Sequence, residues 1–504
     1  MRADLVPGIL LLWPVVGTLL AAALCAVLRR RPDWQRATME TATGLMLAAS
    51  LGLLAEVSQN GPLTVGFGGW PRSFGVSFTA DRLGAMLSVF TGIVGLTVAI
   101  YARADIGPRH RAAGFDALFL AMLAAVNGAF LTGDLFNLYV WFELMLVTAL
   151  GLTVLDRRRA QIDGAIRYAA LSMLGAAFML LGIALLFGEA GTLNMADLSR
   201  ALNGRAPSLA LVASAFLLLS GFGLKAGLFP FFSWLPAAYP TAPMTVLAGM
   251  AGLLTKVGFY ACLRVLVLVF GLGTAPVIPG LAPMLGLLAA ATMALGVLGA
   301  MAQEDTRRIL AFQIVASIGT MMMGLALASL AGLAAAILYM LHSILVTTSL
   351  FFAAGAIARA NGSTDLNRCG GLMKRQPMLA VYFAVPALSL AGIPPFSGFW
   401  GKFVLAQAGF LSGGAALALI LLATGFITVY SMSQIWVEAF WKAPGSGRAP
   451  RRVPPAMLAA MGILAFLILA MGIGVEPLSA FAREAAQGML PGMLPGMLPA
   501  GGGA

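Results

Sequence analysis

Long apolar runs alternate with short polar loops along almost the whole chain. A helix needs roughly 20 mostly apolar residues to cross a bilayer. On that yardstick the pattern predicts about fourteen spans, near residues 5–28, 37–57, 78–102, 114–132, 134–155, 165–188, 209–238, 241–270, 281–302, 308–329, 331–358, 378–411, 414–441 and 455–474. The seventh and twelfth are long and carry prolines midway, in LKAGLFPFFSWLP and AGIPPFSGFWGKF. Proline removes a helical hydrogen bond, so both are predicted to break. The basic cluster Arg29–Arg31 follows the first run, the reverse of a signal peptide, so that run is predicted to remain as an uncleaved helix.

The two broken helices resemble each other. FPFFSW at 229–234 echoes PPFSGFW at 394–400, with Lys225 and Lys402 nearby, and the two lie five spans apart. That spacing predicts a five-helix repeat, and a repeat with an odd number of spans must be inverted in the membrane. Repeats with discontinuous helices are a usual build of ion transporters. The predicted fold is an all-α integral membrane protein with two inverted five-helix repeats. Helices 1–4 occupy 1–132, helices 5–8 occupy 133–270, and helices 9–13 occupy 271–441; the last loop and helix follow at 442–474. Residues 475–504 are expected to form a low-complexity tail, and its GMLPGMLPGMLPAGGGA is expected to be disordered.

Composition agrees with this pattern. The chain is 60% hydrophobic and only 10% charged, with a mean hydropathy of +0.93, which excludes a soluble globular protein of this length. The net charge of +12 does not point to nucleic acid, because Lys and Arg sit between apolar runs and follow no single face. Loops after odd-numbered spans hold about 21 of them, against about six in the opposite loops and tails. The positive-inside rule then predicts a multi-pass protein of the bacterial inner membrane with both termini outside. Cys25, Cys262 and Cys369 are far apart and form no CxxC, so neither disulfide nor metal site is predicted.

Six ionisable residues lie well away from the ends of the predicted spans: Glu143, Lys225, Lys256, Arg264, His342 and Lys402. Each charge near a bilayer centre costs about 2.5–3.5 kcal/mol on insertion scales. Glu143 and the three lysines together cost on the order of 10 kcal/mol, comparable to a typical net stability. They are therefore expected to face the protein interior or water and to answer one another. Burial pushes a lone charge toward its neutral form, whereas a Glu–Lys pair stabilises both charged forms. Making and breaking such a pair turns electrostatics into proton uptake and release. His342 suits a proton relay because imidazole titrates near neutrality. The competing readings are a passive salt bridge for Glu143 and Lys225, a hydrogen-bonded core residue for His342, and snorkelling to the interface for Arg264. Asp134 fits an N-cap, and His110 reads as solvated. No HExxH or Walker A motif is present, so no cofactor is predicted.

At these residues the sequence resembles a known family. GDLFNLYVWFELM, LKAGLFPFFSWLPAAYPTAPMTVLAGMAGLLTKVGFYACLR, LAFQIVASIG and AGIPPFSGFWGKF are similar to the antiporter-like membrane subunits of respiratory complex I and of Mrp-type cation/proton antiporters, the D-type Mrp subunits above all. The resemblance implies a fifth-helix glutamate in Glu143, its seventh-helix lysine partner in Lys225, and axis residues in Lys256, His342 and Lys402, all carrying protons. It also implies hetero-oligomeric assembly with other Mrp subunits in the lipid bilayer, with Na+ and H+ as the transported ions. Two positions depart from the pattern: Thr347 stands where many relatives have lysine, and Phe232 where many respiratory relatives have histidine. The readings that compete with an antiporter component are a proton-pumping component of a redox complex, a self-sufficient transporter of a small organic solute, and a membrane scaffold.

Overall fold

In an apolar medium the backbone must satisfy its own polar groups, and helices follow. The computed structural model describes residues 5–67, 75–274, 276–443 and 451–490. Its long helices are α1 (Leu5–Val27), α2 (Pro32–Asn60), α3 (Arg82–Asp105), α4 (Phe115–Leu131), α5 (Leu135–Thr153), α6 (Arg159–Ala190) and α7 (Leu209–Ala226). After them come α8 (Met244–Leu263), α9 (Leu281–Met301), α10 (Thr306–Ala326) and α11 (Leu330–Asn361). The last are α12a (Pro377–Ala391), α12b (Ser397–Leu411), α13 (Ala415–Trp436), α14 (Pro455–Ile473) and α15 (Val475–Gln487). Among the described residues twelve helices are long and apolar enough to cross a membrane. α4, with 17 residues, and α12a, with 15, fall short of that length.

Two elements depart from the sequence reading. The third span does not begin at 78: Ser77–Ala80 is a strand, paired antiparallel with Leu63–Gly66 in the register Leu63↔Ala80. Four residues of alternating Ser-Phe-Thr-Ala are too short to register against an apolar run. The predicted tail also begins too early. Residues 475–487 form α15, which lays Ala482, Ala485 and Ala486 against the body and packs on α3 and α11. Its Glu484 pairs with Arg82 at 2.7 Å. Its apolar positions recur at helical spacing, which a composition argument passes over. The GMLP tail from 491 onward, and 444–450 of the preceding loop, lie outside the described residues.

The joints of α4–α8 recur in α9–α13. Asp134 caps α5 and bridges to Asn194, which caps the next short helix; Asp305 caps α10 and bridges to Asp365 in the same way. Leu135 N donates to Leu193 O at 3.0 Å and Met195 N to Gly133 O at 2.9 Å; Thr306 N donates to Thr364 O at 3.0 Å and Leu366 N to Glu304 O at 2.9 Å. α6 and α11 each have 32 residues and end on a left-handed glycine, Gly191 and Gly362. α8 and α13 each run on into a π-helical turn, Arg264–Val269 and Val437–Trp441.

The two lysines, however, are not counterparts. α7 and α12a both stop at a glycine of positive φ, Gly227 at 82° and Gly392 at 89°. Lys225 lies just before its break, where the equivalent residue is Leu390, whereas Lys402 lies beyond the other break, on α12b. The order along the chain already shows the difference: Lys225 precedes Pro230, whereas Lys402 follows Pro394 and Pro395.

α8 and α11 form the centre. Every residue from Met244 to Leu263 is buried. α11 packs on α8, α10, both halves of α12, α14 and α15.

Candidate functional site

Asp134 accepts a hydrogen bond from Asn137 N at 2.8 Å, the N-cap its position predicts. Further along α5, Glu143 lies on the helical stripe of exposed Phe136, Val140 and Val147. Its Oε1 is turned inward and buried, without a hydrogen-bond partner among the described residues. The last turn of α7 buries Lys225, and its Nζ likewise has no partner. The expected direct Glu143–Lys225 bridge is therefore not made. Stacking of Phe142 on Phe222, with ring centroids 5.9 Å apart, brings the two helices together beside them. Helical spacing puts the two groups on facing helices, and the packing between those helices sets a gap that sequence does not show.

Lys256 is enclosed at the centre of the molecule. Its ammonium donates to Ala251 O at 2.9 Å and to Thr347 Oγ1 at 3.4 Å, so the hydroxyl of Thr347 serves α8's lysine directly. α8 and α11 cross closely here because Gly252 has no side chain: a Cβ would lie 2.1 Å from Thr348 Oγ1.

His342 and Lys402 meet at the break of α12. His342 Nδ1 is 2.9 Å from Ser397 Oγ, and Ser397 Oγ is 3.0 Å from Ser389 Oγ. Gly398 N donates to Ser389 Oγ at 3.2 Å. The other ring nitrogen, Nε2, is buried without a partner among the described residues. Lys402 Nζ donates to Leu390 O at 2.7 Å and Ala391 O at 3.2 Å, capping the carbonyls that α12a leaves open. Three hydroxyl residues, Thr347, Ser389 and Ser397, thus join the predicted ionisable groups. Two of them flank the Pro-Pro break, a signal the sequence does contain.

The remaining charges have structural partners. Arg264 does not snorkel: it pairs with Asp81 at 2.5 Å and donates to Tyr260 Oη at 2.9 Å. Asp81 also caps α3 through Gly84 N at 2.8 Å. His110 is not simply solvated: its Nε2 is 2.5 Å from Asp156 Oδ1. Burial raises the Asp156 carboxyl, but the bond with His110, the charge of Arg158 and the bond from Gln161 outweigh it and hold the group below the usual carboxylate range. Among the described residues no group of three His, Cys, Asp or Glu side chains is placed to hold a metal ion.

This geometry sits within a recognisable family. Residues 132–428 match the family described as NADH:quinone oxidoreductase/Mrp antiporter, transmembrane. The D-type component of the Na+/H+ antiporter of Alkalihalophilus pseudofirmus is 36% identical over 484 residues, covering 95% of this chain and 97% of that protein. The chain belongs to the family of D-type components of Mrp Na+/H+ antiporters. A chain of the Mrp complex from Dietzia sp. superposes with a TM-score of 0.90 at 30% identity, covering 96% of this chain and 97% of that one. A chain of an archaeal membrane-bound sulfane sulfur reductase superposes at 0.87 with 24% identity, covering 96% of this chain and 98% of that one, a likeness of fold alone. Glu143, Lys225, Lys256, His342 and Lys402 all fall inside the span that matches the family.

Proposed function

We propose that this chain is the D-type membrane component of a multisubunit Na+/H+ antiporter, and that its buried polar row carries the protons. The observation that carries the reading is the order of that row. Glu143 on α5, Lys225 on α7, Lys256 on α8, His342 on α11 and Lys402 on α12b come from five different helices of the core. Hydroxyls and open carbonyls accompany the last three. Glu143 and Lys225 form an electrostatic pair without contact, so a small shift of α5 against α7 changes how strongly each charge holds its proton. At Lys256, Thr347 offers a hydroxyl that both donates and accepts. At the α12 break Lys402 clamps the end of α12a while charged and loosens it when neutral.

The distribution of Lys and Arg supports placing the loops around Arg29–Arg31 and Arg157–Arg159 in the cytoplasm and both termini outside. The two halves of the core, 133–270 and 271–441, act as inverted units about the central α8–α11 contact. The second reading, a proton pump driven by redox chemistry, draws on the fold likeness to the sulfane sulfur reductase. Reconstituting the complex with an imposed Na+ gradient and no redox substrate separates the two. Na+-driven proton movement supports the antiporter, and its absence together with movement driven by electron transfer supports the alternative.

A further inference from the structure

The end of α13 and the start of α12a enclose a two-part recess that the polar row does not use. One part is a cavity of about 510 Å³, lined in part by Lys374, Arg375, Lys442 and Trp441. Glu438 answers Lys442 at 2.6 Å, and Lys374 and Arg375 stand exposed at the rim. The other part is an apolar groove of about 300 Å³ between α12a and α13, with walls that include Phe383, Ala387, Val429, Met432 and Trp436. Trp441 borders both parts. An aromatic stack divides them: Trp436 lies 5.0 Å from Phe440 and 6.0 Å from Trp441, and Phe383 lies 5.5 Å from Phe440, centroid to centroid. The groove reaches Ala391 and Ile393 in the α12 break, where Lys402 holds the carbonyl of Ala391.

Each part has a physical meaning at its depth. Two apolar helices end at this level, and tryptophan beside their ends marks the interface between hydrocarbon and headgroups. Exposed cations there attract anionic headgroups. The groove below is apolar, as an acyl chain requires. A helix of a sister protein in the complex would fill the groove but would leave the cations without an anion.

We propose that this recess binds one anionic phospholipid, with its phosphate on Lys374 and Arg375, its glycerol region beside Trp441, and an acyl chain in the groove against the α12 break. The site is distinct from the proton row and does not depend on how that row works. The test uses the whole complex, with phosphatidylglycerol as the probe and phosphatidylcholine as the control. Native mass spectrometry counts retained lipid, and quenching of tryptophan fluorescence by brominated phosphatidylglycerol locates it. Lys374→Ala combined with Arg375→Ala should weaken phosphatidylglycerol retention about 30-fold while the complex still assembles. Ala387→Phe, which fills the groove and leaves the cations intact, should also weaken it, and Trp441→Phe should remove part of the quenching. Unchanged retention in the double variant overturns the proposal, as does equal retention of the two lipids. So does cross-linking of Trp441→Cys to a sister protein, which would make the recess a protein interface.

Discussion

Glu143 and Lys225 raise the sharpest question at the scale of single residues. If they were a passive bridge, removing one partner would leave an uncompensated buried charge, costing about 3–5 kcal/mol, and removing both would restore the fold. They do not touch, so neither relies on the other for a hydrogen bond. Glu143→Gln and Lys225→Ala should therefore each abolish exchange in complexes that still assemble. The double variant should assemble and stay inactive, and Glu143→Asp should keep partial activity. Abundance of the chain in the membrane and exchange rate per complex check this; recovery of transport in the double variant would refute the switch. Thr347 gives a finer test. Thr347→Val removes one acceptor from a buried ammonium, a hydrogen bond to a charged group worth about 1.5–3 kcal/mol. Exchange should fall roughly tenfold or more, and Thr347→Ser should restore most of it.

At the scale of elements, glycines and capped breaks decide which side chains can meet. α12a and α12b approach so closely that a Cβ on Gly398 would lie 1.8 Å from Ser389 O and 2.7 Å from His342 Cε1. Backbone cannot yield by that much, so Gly398→Ala should displace α12b and lower both abundance and exchange, measured by quantitative blotting and vesicle assays. At the far end of α8, Arg264→Gln leaves Asp81, whose side chain is only 13% exposed, without its cation. A loss of about 3–5 kcal/mol is expected, seen as reduced thermal stability of the purified complex. If stability were unchanged and only exchange fell, Arg264 would belong to the translocation path instead.

On the scale of the whole molecule, the described residues hold a set of buried ionisable side chains but no cluster of His, Cys, Asp and Glu that could cage a metal cation. The isolated chain in liposomes should therefore catalyse no Na+/H+ exchange, and the complete complex should. Full exchange by the single chain would favour a self-sufficient transporter. Orientation is open to cysteine labelling in intact cells: the loop at Arg157–Arg159 should resist an impermeant reagent applied from outside. Asp156 at the start of this loop bonds Gln161 and His110.

By itself the sequence determined where the long apolar helices lie, though not the strand at 77–80 or α15, where two helices break, and which charged residues lie among apolar ones. These are local matters: apolar run length, prolines, and the cost of a charge in hydrocarbon are all readable within about 20 residues. The resemblance in GDLFNLYVWFELM and PPFSGFWGKF was legible for the same reason, as contiguous strings. The tertiary structure alone decided the partners. Asp81 meets Arg264, Thr347 meets Lys256, and Ser397 meets His342 across long stretches of chain. Helical periodicity places a residue on a face but does not say which face it will meet, or at what distance. The Glu143–Lys225 gap, the capping of the α12a carbonyls by Lys402, and the docking of α15 are set by close packing between helices. That packing depends on where glycine leaves room for a neighbouring helix, for the Thr348 side chain at Gly252 and for the Ser389 backbone at Gly398, and it exists only once the whole bundle has assembled.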